Sequence, residues 1–222
     1  MFDWDWAFTL EILPRLLEAT LNTLIAAGAG YVIAVFLGLA FALAQRTPFR
    51  ALTLGVREAV EFIRSTPLVL QIFFVFFVGP QFGVTLSPWT AGMIAIGLHY
   101  SAYLSEVYRG GIESVPKGQW EAAAALSLST RDTYFRIIIP QALPPSLAGM
   151  GNYLVGIFKD TPMLSVIGVA ELMHTANAIG SENYRYLEPY TMVGIIFLCI
   201  SLPAAAMVRS FEAWVRRKLG LS

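Results

Sequence analysis

Charge is what this sequence has least of. Only 14% of its 222 residues are Asp, Glu, Lys or Arg, against about 25% in an average soluble domain. The deficit is concentrated in blocks of about 18 residues or more, the length a bilayer-crossing helix requires. Cysteine occurs once, as Cys199 inside an apolar run. That excludes a disulfide within one chain, and a small packing residue is its plain reading. No Cys/His cluster has metal-ligand spacing, and neither His-Glu-x-x-His nor Gly-x-x-x-x-Gly-Lys-Ser/Thr occurs. The chain therefore offers no metal site of those types and cannot bind nucleotide by the P-loop mechanism. No nucleophile–base pair suggests an enzyme. Net charge is zero, so overall charge points to no nucleic-acid partner. The N-terminus lacks the basic region of a signal peptide, Asp3, Asp5 and Glu11 preceding the first long apolar run, so that run reads as a retained span.

What is present is apolar. Hydrophobic residues make up 56% of the chain and its mean hydropathy is +0.62. An all-α integral membrane protein follows, a single transmembrane domain over residues 1–222 with membrane lipid as its surroundings. Trp4, Trp6 and Phe8 suit an interfacial anchor. Five spans are expected, at about Leu16–Ala44, up to Val78, Trp89–Tyr108, Pro145–Phe158 and Tyr190–Val208. Gly28, Gly30 and Gly38 make the first a close-packing helix. Lys159-Asp160-Thr161-Pro162 breaks the fourth. Residues 160–188 read as an external or interfacial segment, part re-entrant helix and then, over the polar Asn177–Glu188, a surface loop.

Lys and Arg set the orientation. With the N-terminus outside, the inside segments hold Arg46, Arg50 and Arg57, then Arg109, Lys117, Arg131 and Arg136, then Arg209, Arg216, Arg217 and Lys218. The outside holds little beyond Arg15 and Arg185, with Lys159 near a boundary. N-out, C-in places a polar loop, about residues 110–141, in the cytoplasm. Within it Gln119–Leu126 has high helix propensity, with four alanines after Glu121. An alanine face stabilises a core poorly but lets a backbone enter a narrow groove. Glu121 is expected near the helix start, where its charge complements the dipole. Ser129-Thr130-Arg131-Asp132 fits a capping box opening a second short helix, ended by Pro140, with Pro144-Pro145 opening the fourth span.

This loop resembles the cytoplasmic loop of permease subunits of bacterial ATP-binding-cassette importers, whose signature is Glu-Ala-Ala, three residues, Gly, nine residues, Ile, one residue, Leu-Pro. Glu121, Ala122, Ala123, Ile137 and Pro140 match, while Ser127 replaces the glycine and Ile139 the leucine. If that glycine is left-handed, serine there costs roughly 1 kcal/mol. The resemblance covers most of the chain, through Glu61–Leu68, Lys159–Thr161 and Ser165–Leu172. These segments are similar to the polar amino acid uptake branch, which carries histidine, glutamine, glutamate or arginine. Within the branch, Met1–Asp5 and Gly180–Pro189 most resemble ectoine/hydroxyectoine uptake permeases.

The resemblance implies a type I importer core in the bacterial cytoplasmic (inner) membrane, with two short coupling helices gripped by a cytoplasmic ATPase dimer. It implies a sister permease, as heterodimer or homodimer, and an external solute-binding protein. No cofactor is expected in this chain, since the partner ATPase binds ATP and Mg. Coupling falls to Glu121, Ala122, Ala123, Ser127, Ile137 and Pro140. For the pathway or gate the candidates are Arg64, Thr66, His99, Tyr103, Lys159, Asp160 and Thr161. Each carries a structural alternative: snorkelling or helix pairing for Arg64 beside Glu61, a satisfied interhelical bond for His99, a local ion pair for Lys159 and Asp160. An ion-coupled secondary transporter is the rival from another class; it would normally show more spans and internal repeats.

Overall fold

A computed structural model of the chain describes residues 4–218, without the side chains of Arg216 and Lys218. Met1, Phe2 and Asp3 lie outside the described residues, as do those two charges. Among the described residues every regular element is helical, with no strand. Helix α1 (Trp6–Ala44) is capped by Asp5, whose side chain accepts from the Phe8 N–H. That bond holds the Asp5 carboxyl below the usual carboxylate range, with Arg185 acting in the same direction. The helix therefore starts well before Leu16, with Trp6 and Phe8 in its first turn, Trp4 just before it and Pro14 inside it.

Helix α2 (Arg50–Ser65) is amphipathic and buries only Val60. It ends at Thr66-Pro67, and the chain turns by 109° into α3 (Leu68–Phe73) and its continuation through Phe82. A π turn (Phe74–Val78) and a 3-10 turn (Gly79–Phe82) complete that arm. Helix α4 (Pro88–Glu113) is the centre of the molecule, lying against α1, α2, α3 and α7 (Ile139–Asp160). Its contact with α1 is backbone-close. A Cβ on Gly97 would sit 2.5 Å from Ile33 Cγ2, and one on Gly38 2.8 Å from the Ser101 carbonyl. A Cβ on Gly28, expected to serve the same packing, would meet nothing within 4 Å beyond its own turn of helix.

Helix α5 (Lys117–Ala125) and the short α6 (Thr130–Asp132) follow α4. The second loop helix does not end at Pro140, as the sequence suggests. From α6 the chain runs through a π turn (Thr133–Ile138) into α7, with Pro140 in its first turn and Pro144 and Pro145 inside it. The physical reason is the π turn. It shifts the hydrogen-bond register just where proline lacks a donor, and a first-turn N–H has no helical partner to lose.

After a 3-10 turn (Thr161–Ile167), α8 (Leu172–Asn183) extends into the stretch expected to be loop. It does so because Ala176 and Ile179 are buried in a cluster with Ile12, Leu16 and Val193. The connection to α9 (Leu187–Lys218) is short, and Arg185 there binds Asp5 and Glu188, tying α9 to the start of α1. By length and composition α1 and Leu187–Val215 can each cross a membrane, and two bent helix pairs raise the number to as many as four. Helix α4 is not among them, since His99, Tyr100, Tyr103 and Glu106 lower its hydropathy. Burial among other helices makes that composition tolerable.

Candidate functional site

One polar network runs from the end of α2 through α3 and α4 to the end of α7. Gln71, on α3, faces the break behind Thr66-Pro67. Its Nε2 donates to the Ile63 carbonyl at 2.8 Å, the Thr66 carbonyl at 3.2 Å and Thr66 Oγ1 at 2.7 Å. These bonds serve carbonyls at the end of α2, where the Ile63 carbonyl also accepts from the Thr66 N–H at 3.4 Å. With the amide so turned, Gln71 Oε1 faces His99 Nδ1 at 3.2 Å. The imidazole proton is thereby assigned to Nδ1, leaving Nε2 as an acceptor.

His99 stacks edge-on with Tyr100 at 5.4 Å and lies 5.1 Å from the Tyr103 ring. Tyr153 of α7 closes the cluster, 6.0 Å from Tyr100 and 5.6 Å from Tyr103. Asp160, at the end of α7, accepts a 2.6 Å hydrogen bond from the Tyr100 hydroxyl. At the other end the Arg64 guanidinium sits over the Tyr103 ring at 5.5 Å, and the Tyr103 hydroxyl donates to the Arg64 carbonyl. Arg64 also pairs with Glu61 at 3.4 Å. A carboxylate and a guanidinium thus stand at opposite ends of a run of aromatic rings. That arrangement suits a molecule with a cationic and an anionic end.

Of the expected pathway residues, Arg64, Thr66, His99, Tyr103 and Asp160 belong to this network. Lys159 does not: it is exposed, and Asp160 is bonded to Tyr100 instead of forming the expected local pair. Adjacent residues on a helix point about 100° apart. Thr161 is fully buried and its hydroxyl returns to the Phe158 carbonyl. Gln71, Tyr100 and Tyr153 were missed. Gln71 carried a usable signal, as the one amide in the apolar run Leu68–Val78.

The loop at the far end of α4 forms a second assembly. Helix α5 starts at Lys117, two residues earlier than expected, so Glu121 falls beyond the first turn and outside the reach of the dipole. Glu121 and Ala122 are exposed, whereas Ala123 is buried. Ser127 has φ 50°, the left-handed turn its place in the signature implies. The Leu128 N–H returns to the Ala123 carbonyl and the Ser127 N–H to Ala124, which closes the helix in a Schellman motif. Ser129 is the N-cap, as expected, its Oγ accepting from the Asp132 N–H at 3.1 Å and donating to Asp132 Oδ2 at 2.7 Å. Val115, Ile138 and Ala142 are buried beneath, with Trp120 and Ile137 packed against them. Pro140 is exposed. The loop is thus a small packed unit that presents Glu121, Ala122 and Leu126 to solvent.

Residues 30–217 match the family of binding-protein-dependent transport system inner membrane components. The chain is 43% identical to a probable amino-acid ABC transporter permease of Sinorhizobium fredii, over 94% of this chain and 92% of that one. It is 36% identical to the L-cystine transport system permease of Bacillus subtilis, covering 84% of this chain and 82% of the relative. With the glutamine transport system permease of Escherichia coli it shares 32% identity, covering 94% and 96%. Among solved structures, an amino acid ABC transporter with histidines superposes with a TM-score of 0.91 at 32% identity, over 96% of this chain and 99% of that one.

Proposed function

The chain belongs to the family of binding-protein-dependent transport system inner membrane components, and from that premise we propose that it is the permease subunit of a type I ATP-binding-cassette importer. It crosses the inner membrane five times as one unit, N-out and C-in, and pairs with a sister permease or a second copy of itself. A solute-binding protein delivers from outside, to the face near the segment 160–188. A cytoplasmic ATPase dimer, which holds ATP and Mg, grips the loop 110–141.

The observation that carries this reading is the α5 turn. The exposed Glu121 and Ala122 stand on a helix locked by its Schellman closure and by the cluster beneath it. A rigid, small-residue projection on a chain without a nucleotide-binding loop is a part made for an external motor. Ser127 and Pro140 shape that surface, while Ala123 and Ile137 anchor it.

The transported solute is a small zwitterion of the polar amino acid class. Asp160 with its tyrosines serves the cationic end and Arg64 the anionic end; His99, Thr66 and Gln71 hold the α2–α3 break beside them. Lys159 and Thr161 act from the rim and the backbone break. The relatives named above carry amino acids such as cystine and glutamine, which favours an amino acid over the ectoine that the Met1–Asp5 and Gly180–Pro189 stretches suggest. Competition in proteoliposomes holding the whole transporter and its binding protein separates the two. An excess of one polar amino acid should abolish uptake of that labelled amino acid, with ectoine ineffective. Saturable ectoine uptake that amino acids leave untouched would contradict the assignment.

A further inference from the structure

We propose that the cavity bounded by α1, α2 and α4 binds the phosphate of an anionic phospholipid, with an acyl chain in the adjoining apolar groove. The cavity measures about 700 Å³ and lies at the end of the molecule that carries the C-terminus of α1 and the last turns of α4. Its charges are not balanced. Arg109 takes up both Glu106 and Glu113, and Arg64 Nη1 takes up Glu61. Those pairs consume every carboxylate in the lining.

Donors remain. Arg57 forms no ion pair among the described residues, and Arg46 reaches only the Tyr134 hydroxyl, at 3.3 Å. Arg64 Nε and Gln45 Nε2 are buried and find no acceptor among the described residues. Buried donors without acceptors are rare enough that each needs an account. Here both line the same cavity as Arg46 and Arg57, neither of which has a carboxylate within ion-pair distance among the described residues, although Arg57 acts on Glu106 at longer range. With Arg64 left to the solute, the chemistry that answers the other three, Arg46, Arg57 and Gln45 Nε2, is an anion with several acceptor oxygens, and a phosphate presents them in more directions than a carboxylate does.

The apolar groove identifies the bearer as a lipid. Phe62, Ile63, Leu70, Phe74 and Val75 line a second cavity of about 320 Å³ with almost no polar surface. It adjoins the first across α2, where Glu61 and Arg64 face one and Phe62 and Ile63 the other. On the helical period Leu52 and Phe62 fall opposite Arg57 and Arg64, and both are exposed. A helix of that pattern beside a basic cavity lies at the headgroup level of a leaflet. Basic pockets between helices on the cytoplasmic side are where anionic headgroups bind. The choice of leaflet rests on the N-out, C-in reading above; the binding itself does not.

The test is native mass spectrometry of the whole transporter released from phosphatidylglycerol-containing nanodiscs. Wild type should retain phosphatidylglycerol in preference to phosphatidylcholine. The double variant Arg46→Gln, Arg57→Gln should lose about tenfold of that retention, whereas Arg57→Lys should keep most of it. Equal retention in wild type and the double variant would overturn the site. Displacement of the lipid by millimolar inorganic phosphate would overturn the lipid as its occupant. The Lys variant also guards against misfolding: loss in both variants, with an unchanged thermal midpoint, counts against a charge-based site. Because no step of transport enters the readout, failure here leaves the importer reading standing, and failure of uptake leaves this site standing.

Discussion

Ser127 is the residue whose cost is easiest to state. It occupies the left-handed region at φ 50°, where a side chain loses roughly 1–2 kcal/mol relative to glycine. Ser127→Gly should therefore stabilise the α5 turn by about 1 kcal/mol. Hydrogen exchange at the Leu128 amide, which bonds to the Ala123 carbonyl, should slow several-fold; exchange that is unchanged or faster would show that the turn is not under this strain. The same scale shows what single residues reveal in a sequence. His99, Tyr103 and Asp160 stand out because ionisable or aromatic polar groups in an apolar helix are conspicuous, and Arg64 because it ends the charged face of α2 just before an apolar run. Their partners were not readable. Asp160 has a lysine beside it in sequence yet bonds a tyrosine 60 positions away, a choice made by helix packing. Gln71 is neutral and alone, and its role appears only once the α2–α3 break brings three acceptors to its amide.

Among the elements, α1 and α9 were readable because long apolar runs have few alternatives. The break at Thr66-Pro67 and the uninterrupted passage through Pro140 were harder. Both concern proline, whose effect depends on whether the hydrogen bond it removes was needed. At Pro67 the chain turns by 109°, while at Pro140 a π turn has already displaced the register. The α1–α4 contact carries its own prediction. Gly97→Val places a branched side chain where Ile33 Cγ2 is 2.5 Å from the first added carbon. Overpacking of this kind costs about 1–3 kcal/mol. The thermal midpoint of the purified transporter should fall for Gly97→Val and stay put for Gly28→Val, whose site is open. Equal midpoints in the two variants would mean that the helices are not in backbone contact.

For the molecule as a whole the question is how a chain whose sequence carries no P-loop motif is driven. Taking a two-state equilibrium from 1:99 to 99:1 requires about 5.5 kcal/mol of differential interaction. In the proposed mechanism that energy enters through the α5 surface and travels along α4. Helix α4 leads directly into the loop at one end, and at mid-length it carries His99, Tyr100 and Tyr103. Three residues, 114–116, separate α4 from α5, so in that mechanism α4 links the loop to the polar network. The most direct measurement is ATP-driven uptake by proteoliposomes containing the transporter with Glu121→Lys. Uptake and substrate-stimulated ATP hydrolysis should both be lost, with the protein inserted and its thermal midpoint unchanged. Normal coupling in that variant, or uptake that survives without the ATPase and collapses with the ion gradient, would contradict the account.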